Sequence, residues 1–327
     1  MAAIELVNLT KKFNGFAAVD GITLTIQEGE LFGLLGPNGA GKTTTISMLA
    51  TMLKPTTGSA TVNGVSIAQE DAVRKSIGIV FQDPSLDDEL TGEENLDFHG
   101  RLYHMPKTVR EQRMQEVLRL VELEDKARQQ VKTYSGGMKR RLEIARGLMH
   151  RPKILFLDEP TLGMDPQTRR SIWEYTQKLN KQEKVTIVLT THYMEEADYL
   201  CGRIAIIDKG KIIALDTPAN LKNSMGGDIV MLETPDAEKL KGVLTPAWIK
   251  GMKLLDGTLS VTVSNGETAV PKILDIARLH GIAIRAVSLK KPNLEDVFIH
   301  YTGRTIREEE ASAVDTMRLR MKMGWRR

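Results

Sequence analysis

The stretch Gly36-Pro37-Asn38-Gly39-Ala40-Gly41-Lys42-Thr43 constrains this chain more than any other. Two glycines bracket four residues and Lys-Thr follows, the pattern of a phosphate-binding loop. A nucleoside triphosphate needs several backbone N–H groups converging on its oxygens, and bulky side chains would block them. Gly36, Gly39 and Gly41 let the backbone turn tightly and approach closely. Lys42 brings a point positive charge to the outer phosphates, and Thr43 offers a hydroxyl to a bridging magnesium ion. Just before the loop, Glu30 to Leu35 reads as a short buried strand. Just after it, Thr44 to Leu53 reads as a helix, with Ile46, Leu49, Ala50 and Leu53 at helical spacing. Strand, glycine loop, helix is the order that phosphate binding requires, because the helix N-terminus adds its partial positive charge. The competing reading, a chance match in a glycine-containing loop, does not explain these flanks.

The 327 residues suffice for a sizeable core and two domains. A hydrophobic content of 41% and a charged content of 27% fit a globular protein. A net charge of +3 demands no broad nucleic-acid footprint. The single cysteine, Cys201, excludes an internal disulfide and suits the cytosol. No apolar run is long enough to span a bilayer, and Met1 to Leu6 lacks the basic and apolar regions of a secretory signal. If this protein serves a membrane, a separate chain must cross it.

Residues 3–9 read as a strand, a turn follows at Asn14-Gly15, and Ile22 to Ile26 is a second strand. Ala60 to Val65 reads as a hairpin turning at Asn63-Gly64, and Ile77 to Phe81 as a short buried strand. From Thr91 to about Arg146 the pattern is helical, broken near Met105-Pro106 and at Thr133 to Gly137. Strands resume at Lys153 to Asp158, Val185 to Thr190 and Arg203 to Ile207, with a helix from Pro166 to Asn180 and a last strand from Ile212 to Leu215. Alternating strands and helices imply a parallel sheet with helical cover. Gly226-Gly227 reads as a linker. Beyond it a smaller unit has strands near Ile229 to Leu232 and Ile282 to Val287. It also has helices near Ala237 to Leu240, Ala269 to His280 and Leu294 to Tyr301, and a hairpin at Asp256-Gly257, an order that suits a ferredoxin-like sandwich.

A second nucleotide element is Ile154-Leu155-Phe156-Leu157-Asp158-Glu159. An apolar strand delivers an acid pair to its C-terminal edge, where ligands bind in such sheets. Asp158 would hold magnesium, through water or directly, and Glu159 would orient or activate the attacking water. The bland alternative is a surface acid pair after a core strand. Three further features follow in order. Gln82 closes a strand and can reach magnesium with its amide oxygen. Ser135-Gly136-Gly137 opens a helix with a capping hydroxyl, another anion-binding N-terminus. His192 follows the strand Thr186 to Thr191 and places an imidazole near the terminal phosphate. Each is weak alone, since a lone Gln is usually surface, Ser-Gly-Gly a turn and a lone His structural.

Together they resemble the ATP-binding cassette (ABC) family over roughly residues 3–220. In that family's terms Gly36 to Thr43 looks like Walker A, Gln82 the Q-loop and Tyr134-Ser135-Gly136-Gly137-Met138 the signature. Ile154 to Glu159 looks like Walker B, Leu162-Gly163-Met164-Asp165 the D-loop and His192 the switch histidine. The resemblance implies an α/β fold: a P-loop cassette with a mixed-sheet core and a helical insertion at about 83–150, filling residues 1–225. A small α+β domain at 226–303 and a basic, apolar tail at 304–327 complete the chain. It implies ATP and Mg2+ as ligands. ATP would be held by Phe13 (or Phe16) against adenine, by Gly36 to Thr43 with Thr44, and by Ser135, Gly136 and Gly137. The metal would be held by Thr43, Gln82 and Asp158, with Lys42, Glu159 and His192 catalytic. It also implies a head-to-tail homodimer in which Walker A of one subunit and the signature of the other hold each ATP.

The usual signature begins with Leu and ends with Gln, where this chain has Tyr134 and Met138. The run Lys139-Arg140-Arg141 either serves the phosphates or is a solvated helix face. The variant signature and Asn293 to Phe298 resemble the branch that drives drug-resistance exporters of the daunorubicin type. There the ATPase is peripheral at the cytoplasmic face of the membrane and pairs with an ABC-2 type permease through the helical insertion around Asp83 to Met105. Met317 to Arg326 alternates apolar and mostly basic residues, which suits either a segment docking on lipid or a partner, or a solvated terminus. The rival functions are a non-transport ABC ATPase acting on ribosomes or nucleic acid, and a regulator that binds ATP without turnover. A single cassette without a long heptad run disfavours the first, and the presence of Glu159 and His192 the second.

Overall fold

The computed structural model describes residues 1–83, 85–255 and 258–302. The chain divides into two compact units between Thr217 and Pro218. The hairpin turn read at Asp256-Gly257 and the tail at 304–327 lie outside the described residues.

In the first unit, β1 (Ala2–Phe13) and β2 (Phe16–Gln27) pair antiparallel. Asn14 and Gly15 join them with φ of 47° and 86°, the paired left-handed conformation that matches strand twist in a tight hairpin. β3 (Leu31–Leu35) is buried throughout. α1 (Lys42–Leu49) follows the glycine loop, then β4 (Thr57–Val62), β5 (Val65–Ser66), α2 (Glu70–Ser76) and β6 (Ile77–Val80). Three helices come next: α3 (Gly92–Leu102), α4 (Lys107–Leu120) and α5 (Gly136–Leu148). They are followed by β7 (Ile154–Asp158), α6 (Pro166–Glu183), β8 (Thr186–Thr191), α7 (Met194–Leu200), β9 (Arg203–Asp208) and β10 (Lys211–Asp216). α1 begins earlier than the apolar spacing predicts and ends sooner, where Thr51 turns left-handed at φ 60°.

These strands form two sheets, not one. The order β2-β1-β4-β5 is antiparallel throughout. The order β10-β9-β3-β8-β7-β6 is parallel except for β10. α1 lies in the core the two sheets share. Its Ile46, Met48 and Leu49 pack in one cluster with Ile4 and Leu6 of the first sheet and Phe32, Phe156 and Val188 of the second. Burial of α1 on both sides anchors the glycine loop ahead of it. Helices α3, α4 and α5 pack on one another.

The second unit starts with α8 (Pro218–Asn223), which packs on α11 (Leu294–Thr302). A boundary at the Gly226-Gly227 linker assigns residues 218–225 to the first domain. The buried Leu221 of α8 instead ties that helix to the second unit. Between those helices run β11 (Asp228–Glu233), α9 (Ala237–Val243), β12 (Ile249–Leu255), β13 (Thr258–Val263), α10 (Gly266–Leu279) and β14 (Ala286–Lys290). The antiparallel order β12-β13-β11-β14 is that of a ferredoxin-like sandwich. β14 starts later than the run from Ile282 predicts. Ile282 is buried and its N–H caps α10 at Ala277, so pairing with β11 begins only at Ala286. Among the described residues no helix is long and apolar enough to cross a membrane.

Candidate nucleotide site

In the parallel sheet, β3 and β7 flank β8, with Leu35 beside Thr191 and Asp158 beside Thr190. The loops after these three strands therefore leave one edge side by side. That is how residues far apart in sequence meet at the C-terminal edge, the usual ligand position in such sheets.

The glycine loop is held from below. A β-carbon on Gly36 would lie 2.2 Å from the Ile207 carbonyl oxygen, and one on Gly41 2.4 Å from that of Ala18, where φ is also +104°. Only glycine fits both positions, and the loop backbone can approach a ligand because nothing projects from them. Lys42 folds back under the loop. Its Nζ donates to the carbonyls of Gly36 at 2.7 Å and Pro37 at 3.1 Å and pairs with Glu159 Oε1 at 3.1 Å, with both side chains buried.

Thr43 Oγ1 donates to Asp158 Oδ1 at 3.1 Å, and the Thr190 hydroxyl donates to the same oxygen. A hydroxyl and a buried carboxylate in contact are hard oxygen donors of the kind magnesium takes, so these residues fit that ion. Glu159 takes φ 45°. Its N–H donates to Thr190 Oγ1 at 3.0 Å, and its Oε2 meets His192 Nδ1 at 3.2 Å. Burial alone would push the Glu159 carboxyl up. The hydrogen bond with His192 and the charge of Lys42 outweigh it and hold the carboxyl below its ordinary value.

A cleft of about 450 Å³ opens above these groups, within the range of about 300–1,000 Å³ usual for small-molecule sites. Pro37, Asn38, Gly39, Gly41, Lys42, Thr43 and Thr44 line it with Gln82, Glu159 and Leu162. Ala40 is buried at the base, and its carbonyl accepts from Gly210 N–H. Phe16 also lines the cleft and is 65% exposed. Phe13 does not line it and sits under Lys11, whose Nζ is 5.1 Å from the ring centroid. The aromatic at the cleft is therefore Phe16, the alternative of the sequence reading. Phe13 and Phe16 are the cross-strand pair that closes the hairpin.

Ser135, Gly136 and Gly137 are not brought to this cleft. Ser135 caps α5 by accepting from Met138 N–H at 3.2 Å. With Gly137 it lines a separate hollow whose other walls include Gln167 and Thr168. A β-carbon on Gly137 would lie 2.7 Å from Thr168 Cγ2, so that glycine lets α5 pack on α6. One on Gly136 would meet nothing of its own chain. Tyr134, in place of the usual Leu, is buried and its hydroxyl donates to the Lys126 carbonyl at 2.7 Å.

Both readings of the basic run fail at Arg140, which neither faces solvent nor reaches the cleft. It is 5% exposed and hydrogen-bonds backbone carbonyls at the sheet edge. Sequence reasoning also passed over Thr190, whose hydroxyl orients both Walker B acids. A threonine beside another at a strand end gave the only signal.

The match to an ABC transporter family model covers residues 19–162, and a second, for the ATP-binding protein DrrA1-3-like C-terminal domain, covers 217–302. The linearmycin resistance ATP-binding protein LnrL of Bacillus subtilis (strain 168) is 39% identical over 93% of this chain and 100% of its own length. The chain belongs to the ABC transporter family. The daunorubicin/doxorubicin resistance ATP-binding protein DrrA of Streptomyces peucetius is 40% identical over 92% of each chain. The ATP-binding cassette MJ0796, solved as a dimer in a post-hydrolysis state bound to ADP and Pi, superposes with a TM-score of 0.58. It is 30% identical over 65% of this chain and 98% of that one. This ABC subunit is an ATPase, and the ATP that it binds and hydrolyses drives transport.

Proposed function

We propose that ATP sits in the cleft with its base against Phe16, its phosphates on the backbone of residues 36–44 and its terminal phosphate facing Glu159 and His192. The observation that carries this reading is the Lys42–Glu159–His192 chain beside the Thr43–Asp158 pair. Lys42 pairs with Glu159, and a triphosphate offers the ammonium stronger acceptors. Binding therefore draws Lys42 toward the phosphates and frees one Glu159 oxygen to take a proton from the attacking water. His192 keeps the other oxygen oriented. Magnesium held by Thr43, Asp158 and Gln82 would neutralise charge on the outer phosphates. The test is Glu159→Gln, which is expected to keep ATP binding and abolish most turnover. Wild-type turnover would remove Glu159 from this role.

The reading extends to a head-to-tail homodimer. The exposed Ser135 end of α5 has no place in its own chain's nucleotide cleft, and Gly136 meets nothing of its own chain. A second copy's ATP would supply what is missing, and the dimer would close because ATP binds the closed form better than the open one. Cysteines placed at Ser135 and Asn38 should crosslink between chains in ATP and not in ADP.

The resistance names of the relatives, with the match of both domains to that branch, support export of a lipophilic compound. A separate ABC-2 type permease would carry the compound, with this subunit on the cytoplasmic face of the membrane. Purification under mild detergent should recover a polytopic membrane protein. Recovery of ribosomes or nucleic acid instead would favour the non-transport reading.

A further inference from the structure

Arg140 makes four hydrogen bonds beside the site, and the nucleotide chemistry does not use it. Its Nε donates to the Pro160 carbonyl at 2.8 Å and its Nη2 to that of Asp158 at 3.1 Å. Its Nη1 donates to the Phe81 carbonyl at 2.6 Å and to Glu143 Oε2 at 2.8 Å. Two of these carbonyls bracket Glu159. The third lies immediately before Gln82.

Glu159 is held at φ 45°, a left-handed conformation uncommon for a residue with a β-carbon. A planar guanidinium with donors in a fixed fork is suited to gripping both sides of such a turn, and an ammonium is not. Glu143 carries the connection onward. Its other oxygen accepts from Ser85 N–H at 2.9 Å. Arg146, one turn further along α5, donates to the Ser85 carbonyl at 2.6 Å and to the Ser85 hydroxyl. Phe81, Ser85 and the turn at Glu159 are thus fastened to the same face of one helix. That helix is the one whose N-terminus carries Ser135.

We infer that Arg140 is a positioning residue for hydrolysis, holding Glu159 in its left-handed turn and tying that turn to the loop around Gln82. The inference rests on the reading of Glu159 given above. A displacement of the loop or of α5 would reach the carboxylate through Arg140, while the phosphate-binding backbone at residues 36–44 would not feel it directly.

The test uses the full chain with Arg140→Met, Arg140→Lys, Glu159→Gln and the double variant Arg140→Lys/Glu159→Gln. Arg140→Met should lower kcat by roughly ten- to a hundredfold, the scale of a misplaced catalytic group. Its Kd for a fluorescent ATP analogue should stay within about twofold, because Lys42 and Thr43 are untouched. Arg140→Lys keeps the charge beside Glu143 and most of the volume, and should show a smaller loss in kcat with the same unchanged Kd. It carries the test alone should Arg140→Met not fold. Added to Glu159→Gln, Arg140→Lys should cause no further loss, because its effect acts through Glu159. The inference is overturned by wild-type kcat in Arg140→Lys and Arg140→Met. A loss that tracks weaker ATP binding, or full additivity in the double variant, also overturns it. If Glu159→Gln turns over normally, the reading of Glu159 fails. If it is inactive and the Arg140 variants are not, only this inference fails.

Discussion

Two helix N-termini in this molecule look equivalent in sequence, glycine-rich and preceded or followed by a hydroxyl, and they differ completely in context. The end of α1 is enclosed: residues from three other segments of its own chain line the cleft over it, Lys42 is buried, and Gly36 and Gly41 are sterically obligatory. The end of α5 is exposed, and a β-carbon on Gly136 would meet nothing. An anion site closed by its own chain can bind alone. One left open needs something from outside to finish it. Under the head-to-tail reading proposed above, this difference is why the α5 end would need a second copy's ATP.

The largest expected effect sits at the enclosed end. Glu159→Gln should reduce ATP turnover by about a hundred- to a thousandfold with ATP affinity retained, as read by steady-state phosphate release and equilibrium binding. Next, alanine should separate the two ends. Gly41→Ala forces a β-carbon into a left-handed residue and against a backbone oxygen, and should cost about 2–3 kcal/mol of stability and abolish ATP binding. Gly136→Ala meets nothing and relieves a glycine in a helix, so its melting temperature should hold or rise slightly. Equal destabilisation by both would break the comparison. A third substitution, Gly136→Glu, has room in its own chain and places a negative charge at the exposed end. It should lower turnover about tenfold or more by repelling a partner's ATP, while single-chain ATP affinity is unchanged. Unchanged turnover would mean that the α5 end meets no nucleotide.

The smallest effect is acid sensitivity. In the helical part, burial, helped by the nearby charge of Arg146, holds His99 down at about 4. Its contribution to stability is therefore full above the ordinary value of 6.5 and is lost as pH falls from there to about 4. Glu159 is held below its ordinary 4.5, so its contribution is full above that value and lost only at lower pH. Between pH 7.5 and 5.5 the helical part should weaken by ~1 kcal/mol, allowing for partial exposure, while the α1 end should not. Hydrogen exchange of residues 92–120 against 42–49 at the two pH values, corrected for intrinsic rates, checks this. Loss of protection first at α1 would reverse the assignment.

The sequence alone determined the chemistry-bearing segments and their element types. A glycine pattern between a buried strand and a helix leaves few alternatives, because backbone reach and side-chain bulk act over a few residues. The same holds for the apolar strand ending in Asp158-Glu159, and for the βαββαβ order of the second unit, where each strand and helix carries its own period. Only tertiary structure decided what depends on which surfaces meet. The way the hairpin packs beside the glycine loop set Phe16 and not Phe13 along the cleft. The phase of α5 against the sheet edge sent Arg140 inward from a run of three basic residues that read alike. Strand order set Thr190 beside Asp158. Periodicity records that a side chain is buried, but not against what, since its partners lie far along the chain and are fixed only when the sheets and helices pack.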